Sequence, residues 1–102
     1  MLQLRPNCEA CDIDLPPSAA NARICTYECT FCANCVAHVL HNVCPNCAGG
    51  FMPRPVRPNT VRRLGVGLPH QPASTTRVHL KYSRDDIAAL VAVVRAIAPE
   101  NR

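Results

Sequence analysis

The chain has no tryptophan, two phenylalanines and two tyrosines, so aromatics make up 4% of its 102 residues. A core or substrate pocket walled by large rings is therefore excluded. Glycine is scarce too. Among the four glycines, Gly65-Val66-Gly67 lacks the third glycine and the strand–helix setting of a phosphate-binding loop. Long apolar runs are missing. The longest, Ile87 to Ala98, is 12 residues and is broken by Arg95, far short of the ~20 residues that span a bilayer. Met1-Leu2-Gln3-Leu4-Arg5-Pro6 has no charged segment followed by an apolar one, so no secretory signal is expected. No paired-carboxylate or Ser/His/Asp set can be assigned. Glu9, Asp12, Asp14 and Glu28 read as surface charges, and the chain is expected not to be an enzyme.

What the chain has is cysteine. All eight lie in a 40-residue window, as Cys8-x2-Cys11-x13-Cys25-x3-Cys29-x2-Cys32-x2-Cys35-x8-Cys44-x2-Cys47. A window that short cannot fold on hydrophobic contacts alone. With no secretory signal the thiols are expected to stay reduced in a cytoplasmic location, where clustered pairs read as metal ligands rather than disulfides. Cys-x-x-Cys turns place two sulfurs on one side of the backbone, and two such turns close a four-sulfur site. Eight sulfurs make two sites, and the expected cofactors are two structural Zn²⁺ ions. Each contributes on the order of 10 kcal/mol to folding. Iron–sulfur ligation is the competing use. Cys29-x2-Cys32-x2-Cys35 is similar to the start of a ferredoxin run, but the continuing x3-Cys-Pro is missing. His41, three residues before Cys44, is an alternative ligand. Because eight cysteines already fill two sites, His38 and His41 are expected on the face of a short helix instead. His70 and His79 are expected to be solvated.

The order pair, long loop, pair, immediate pair, shorter loop, pair resembles a RING finger. Phe31 just before the fifth cysteine, the closing Cys44-Pro45-Asn46-Cys47, and Val36, Val39 and Leu40 at helical spacing add to the likeness. The resemblance covers residues 8–47. It implies a cross-brace, with Cys8, Cys11, Cys32 and Cys35 on one metal and Cys25, Cys29, Cys44 and Cys47 on the other. The implied fold class is a small zinc-stabilised α+β module, RING-like or treble-clef, with short β-hairpins and one short helix. Cys29 stands where RING fingers usually have His. Ala10, Ala48 and the lack of Trp remove the residues with which RING ligases contact a conjugating enzyme, so ligase activity is not implied. A second resemblance runs over the first 80 or so residues. Leu4-Arg5-Pro6-Asn7-Cys8, Leu15-Pro16-Pro17, Ala22-Arg23-Ile24-Cys25, Glu28-Cys29-Thr30-Phe31-Cys32 and Val43-Cys44-Pro45-Asn46-Cys47 are similar to DUF1272, a family of small bacterial cysteine-rich proteins of unknown function. It implies a metal-binding protein without naming an activity.

Three zones follow. Residues 1–52 form the two-zinc module. Residues 53–83, with Pro53, Pro55, Pro58, Pro69 and Pro72, read as an extended Pro/Arg-rich linker. Residues 84–98 read as an amphipathic helix on Ile87, Leu90, Val91, Val94 and Ala98, capped by Ser83 with Asp86 as capping-box partner and stopped by Pro99. That helix should dock on the module, pair with a second copy or enter a partner's groove. Its polar face is too poor in Lys and Arg for a membrane anchor.

Charge divides along the same line. The net charge is +4, with residues 1–52 at −2 and residues 53–102 at +6. Eight thiolates and two divalent ions bring the loaded chain near neutrality. Arg54, Arg57, Arg62, Arg63, Arg77, Lys81 and Arg84 form an acid-free stretch, the candidate contacts for nucleic-acid phosphates or for an acidic protein surface, in cis or in trans. Tyr82 is its only aromatic, which argues against a base-stacking platform. The preferred expectation is a non-catalytic protein-interaction adaptor. A zinc-dependent nucleic-acid binder is the alternative, and a ligase-like or thiol-redox enzyme ranks last.

Overall fold

Ala22–Ile24 (β1) and Thr30–Cys32 (β2) form an antiparallel hairpin, with Arg23 opposite Phe31. The computed structural model describes all residues, 1–102. Met52–Pro53 (β3) pairs antiparallel with the other side of β1, giving a three-stranded sheet in the order β2-β1-β3. Pro53 is tolerated because β3 is an edge strand. The chain passes from β2 directly into a short helix, Ala33–His38 (α1). Cys32 is its N-cap, its sulfur accepting the Cys35 N–H at 3.4 Å. The helix therefore starts two residues before the sixth cysteine, and Val39 and Leu40 lie beyond it rather than in it. It stops early because His41 (φ 46°) and Asn42 (φ 61°) take left-handed backbone conformations.

Fourteen buried residues form one hydrophobic cluster, six of them cysteines. Phe31 is fully buried and meets Phe51 edge-to-face at 5.3 Å. Two rings and a few aliphatic side chains make a thin core.

Residues 53–83 contain little regular structure, yet they do not hang free. Arg54 is buried, its guanidinium donating to the carbonyls of Arg5, Leu15 and Pro16. Arg57 donates to Leu2 O and Gln71 O. Further on, the chain runs back beside residues 4–14. The Ser74 N–H reaches Leu4 O at 3.0 Å, and the Leu80 N–H reaches Glu9 O at 3.0 Å. Between them the buried Asn7 amide both donates to Val78 O, at 2.8 Å, and accepts from the Val78 N–H, at 3.1 Å. One side chain thus stands in for a missing strand partner. The proline-rich stretch is a strap over the cysteine module.

The second helix, Arg84–Val94 (α2), is capped by Ser83 Oγ accepting the Asp86 N–H at 3.1 Å. The reciprocal bond, from the Ser83 N–H to the Asp86 carboxylate, is absent, since Asp is one methylene shorter than the preferred Glu. α2 ends at Val94, four residues before Ala98, and Pro99–Asn101 forms a separate 3₁₀ turn. Ile87 and Val91 are buried in the common core, so the apolar stripe docks on the cysteine module of its own chain. The end of the chain returns to the module too. The Arg102 guanidinium donates to Asn42 O and Ala48 O. No helix is long and apolar enough to cross a membrane.

Candidate metal centre

All eight cysteines are free thiols, and they gather into two groups that alternate along the chain. Cys8, Cys11, Cys32 and Cys35 form the first, every sulfur within 4.8 Å of the others. Cys25, Cys44 and Cys47 form the second at the same spacing. Cys29 adjoins this group, close enough for its sulfur to interact with those of Cys25 and Cys44, but does not lie within 4.8 Å of all three. Neither His38 nor His41 enters either group.

Local geometry explains how each pair forms. In the first knuckle the Cys8 carbonyl accepts the Asp12 N–H at 2.9 Å, and Asp12 is left-handed at φ 65°. In the last knuckle the Cys44 carbonyl accepts the Ala48 N–H at 2.7 Å, and Ala48 is left-handed at φ 64°. The same five-residue turn is thus used at both ends. The Cys25–Cys29 pair is wound by the Glu28 N–H on Cys25 O, with Glu28 at φ 65°. Cys25 follows β1 directly, Cys32 ends β2 and Cys35 lies on α1, so the hairpin and its helix place the third cysteine in one group and the fifth and sixth in the other.

The sulfurs face backbone donors. Cys25 Sγ accepts the Tyr27 N–H at 3.3 Å, Cys32 Sγ the Cys35 N–H at 3.4 Å, and Cys47 Sγ the Gly49 N–H at 3.4 Å. Such bonds favour thiolates. The thiols themselves resist ionising without a cation. Burial, then the neighbouring Cys32 sulfur, pushes Cys35 well above the usual thiol range, and burial does the same to Cys44 and Cys29. Crowded, buried sulfurs with amide donors aimed at them are costly as thiolates unless a divalent ion supplies positive charge. The donor set fits one metal ion in each group.

Glu9 is the residue that the sequence placed wrongly. It is buried, its side chain 2% exposed, and is not a surface charge. Its carboxylate accepts the Thr30 N–H at 2.6 Å and Arg5 Nη1 at 2.9 Å, and Asn46 Nδ2 at 3.4 Å. Glu9 follows a ligand of the first group, and Asn46 sits between two ligands of the second. One carboxylate therefore ties the two centres together. No spacing rule marks it, because its partners come from distant parts of the chain.

The basic stretch divides by environment. Arg77 pairs with Asp12 Oδ1 at 2.9 Å and Asp14 Oδ1 at 2.7 Å, so part of the charge acts in cis on the first knuckle. Arg54 and Arg57 are committed to backbone carbonyls. Arg62, Arg63, Lys81 and Arg84 are exposed and form no ion pair.

Comparison with known proteins agrees with this geometry. Residues 1–57, which contain every cysteine, match the family described as a protein of unknown function, DUF1272. An uncharacterized protein of Rhizobium meliloti (strain 1021) is 55% identical over 78 residues, covering 76% of this chain and 86% of that protein. No solved structure matches the chain. The family match takes in the whole cysteine framework, and the chain belongs to DUF1272.

Proposed function

We propose that the chain is a cytoplasmic, non-catalytic interaction module in which two structural zinc ions fix a RING-like cross-brace. The observation that carries this reading is the alternation of the two cysteine groups, which locks the sheet, α1 and the last knuckle into one rigid body. Cys29 is the natural fourth ligand of the second site. Sites with four sulfur ligands leave no open position for water, which favours a structural over a catalytic metal. Thiolate ligands and paired knuckles favour zinc over harder ions. A scaffold held by closed structural metals serves as a surface for another protein.

Two measurements test the reading. Purified protein should carry about two zinc per chain, whereas iron with visible absorption would overturn the metal. Affinity capture with the metal-loaded chain should retain a protein partner after nuclease treatment. Complete loss on nuclease treatment would favour a second reading, nucleic-acid binding through the unpaired Arg62, Arg63, Lys81 and Arg84. In that case affinity would fall steeply with added salt.

A further inference from the structure

The chain's arginines differ in what they hold. Arg54, Arg57 and Arg102 hold backbone carbonyls, and Arg5 and Arg77 hold carboxylates. Arg23 and Arg95, like Arg62, Arg63 and Arg84, have no acidic partner, and these two are far apart in sequence. Both line one shallow groove of about 580 Å³ beside α1, together with His41 and a floor of Ala33, Val36 and Ala37. No acid of the chain lines it.

Arg95 is the exposed C-cap residue of α2. It lies four residues beyond Val91 and eight beyond Ile87, on the stripe that α2 turns toward the module. Val94 carries the apolar seam on against the core, and the Arg95 side chain lines the groove beside α1. Arg23 is held from the other side, its Nη1 donating to Ala20 O at 3.1 Å and Ala22 O at 3.2 Å, which leaves Nε and Nη2 without a partner in the chain. His41 sits in the left-handed backbone pair His41–Asn42. Asn42 is anchored by its N–H on Val36 O and by the Phe51 N–H on its Oδ1, at 2.8 Å. Arg23, held at Nη1, loses less freedom than an untethered side chain when a ligand arrives.

We propose that this groove is a docking site for an acidic segment of a partner protein, its carboxylates held by Arg23 and Arg95 and an apolar side chain resting on Val36 and Ala37. Charge complementarity selects the occupant: two unpaired guanidinium groups over an aliphatic floor match alternating acidic and apolar residues. A nucleic-acid strand fits less well, because no aromatic lines the groove and its cations do not continue along a track. The inference rests on the adaptor reading and names the surface that does the binding.

The test uses the full, metal-loaded chain and a labelled nonapeptide of alternating glutamate and leucine, with the glutamine version as comparison. The glutamate peptide should bind saturably and about tenfold tighter than the glutamine peptide, since a charge-assisted bond contributes about 1.5–3 kcal/mol. The double variant Arg23→Gln/Arg95→Gln should weaken binding by about tenfold or more while keeping its metal. Ala37→Glu, which leaves both arginines but sets an acid among them, should weaken it as well. The proposal is overturned if wild type does not distinguish the two peptides, or if both variants bind as wild type does. It is overturned equally if only Arg62→Gln/Arg63→Gln abolishes binding, or if oligothymidylate displaces the peptide and itself requires Arg23 and Arg95. The adaptor reading is judged separately. A partner captured equally well by wild type and by both groove variants would remove the groove and leave that reading standing.

Discussion

The sulfurs of Cys11 and Cys32 lie 3.7 Å apart, although 21 residues separate them. A tetrahedral zinc with Zn–S bonds of ~2.3 Å has sulfur–sulfur edges of about 3.8 Å. The two sulfurs are set at the distance of co-ligands. Cys11 is exposed and Cys32 is buried, and Cys32 also caps α1. Cys11→Ser and Cys32→Ser should therefore both reduce bound zinc from about two to about one per chain. Cys32→Ser should destabilise the protein no less than Cys11→Ser. Metal analysis with chemical denaturation measures both, and two zinc retained by either variant would contradict the assignment.

Glu9 and Arg5 form a pair in which the carboxylate is almost wholly enclosed. Removing the carboxylate leaves the Thr30 N–H, Arg5 and Asn46 without their acceptor. Glu9→Ala should cost about 3 kcal/mol. Arg5→Ala should cost less, because the Thr30 N–H and Asn46 still satisfy the acid. Equilibrium unfolding of the two variants at constant free zinc checks the order.

Arg54 shows what the linear chain concealed. In the sequence it stands among prolines and reads as one of the candidate contacts for phosphates or an acidic protein surface. In the fold, burial lowers its basicity while its guanidinium fork spans three carbonyls. A lysine cannot reproduce that fork. Arg54→Lys should destabilise by about 2 kcal/mol, seen as a lower thermal midpoint with metal content unchanged.

The same contrast runs through the chain. Chemistry that depends on short spacing is legible: the Cys-x-x-Cys turns, Ser83 as a cap and the stripe of Ile87 and Val91, whereas the membership of the two sulfur groups is implied only by the RING resemblance. Chemistry that depends on distant partners is not. Asn7 bonds Val78 across 71 positions, and Glu9 meets Asn46 across 37. A proline-rich composition predicts the absence of helix correctly, but it does not say that the segment is a strap. The length of α1 was misread because no glycine announces the left-handed His41 and Asn42.

Arg77 holds the Asp12 carboxyl below the usual carboxylate range, first through its hydrogen bond and further by its charge. A group depressed in the folded state contributes stability above its unfolded pKa, near ~3.9. That contribution is lost as the pH falls through the lower folded value. In Arg77→Gln the Asp12 carboxyl should titrate at higher pH than in wild type, as followed by carboxyl-carbon NMR. An unchanged midpoint would show that the strap does not hold the first knuckle through this pair.

Ala48 takes the left-handed turn position after the last cysteine. A side-chain Cβ is unfavourable there, and glycine is not. Ala48→Gly should stabilise the protein by up to about 1 kcal/mol, the gain in the turn exceeding the added freedom of the unfolded chain. Thermal unfolding at fixed metal concentration measures it.

The central claim is that two zinc ions cross-link the chain in alternation. Anomalous diffraction at the zinc edge, from crystals of the loaded protein, tests it directly. The account predicts one ion within bonding distance of Cys8, Cys11, Cys32 and Cys35, and a second bound by Cys25, Cys29, Cys44 and Cys47. Ions held by consecutive cysteines, Cys8 through Cys29 and Cys32 through Cys47, or sulfurs joined to one another with no metal between them, would contradict it.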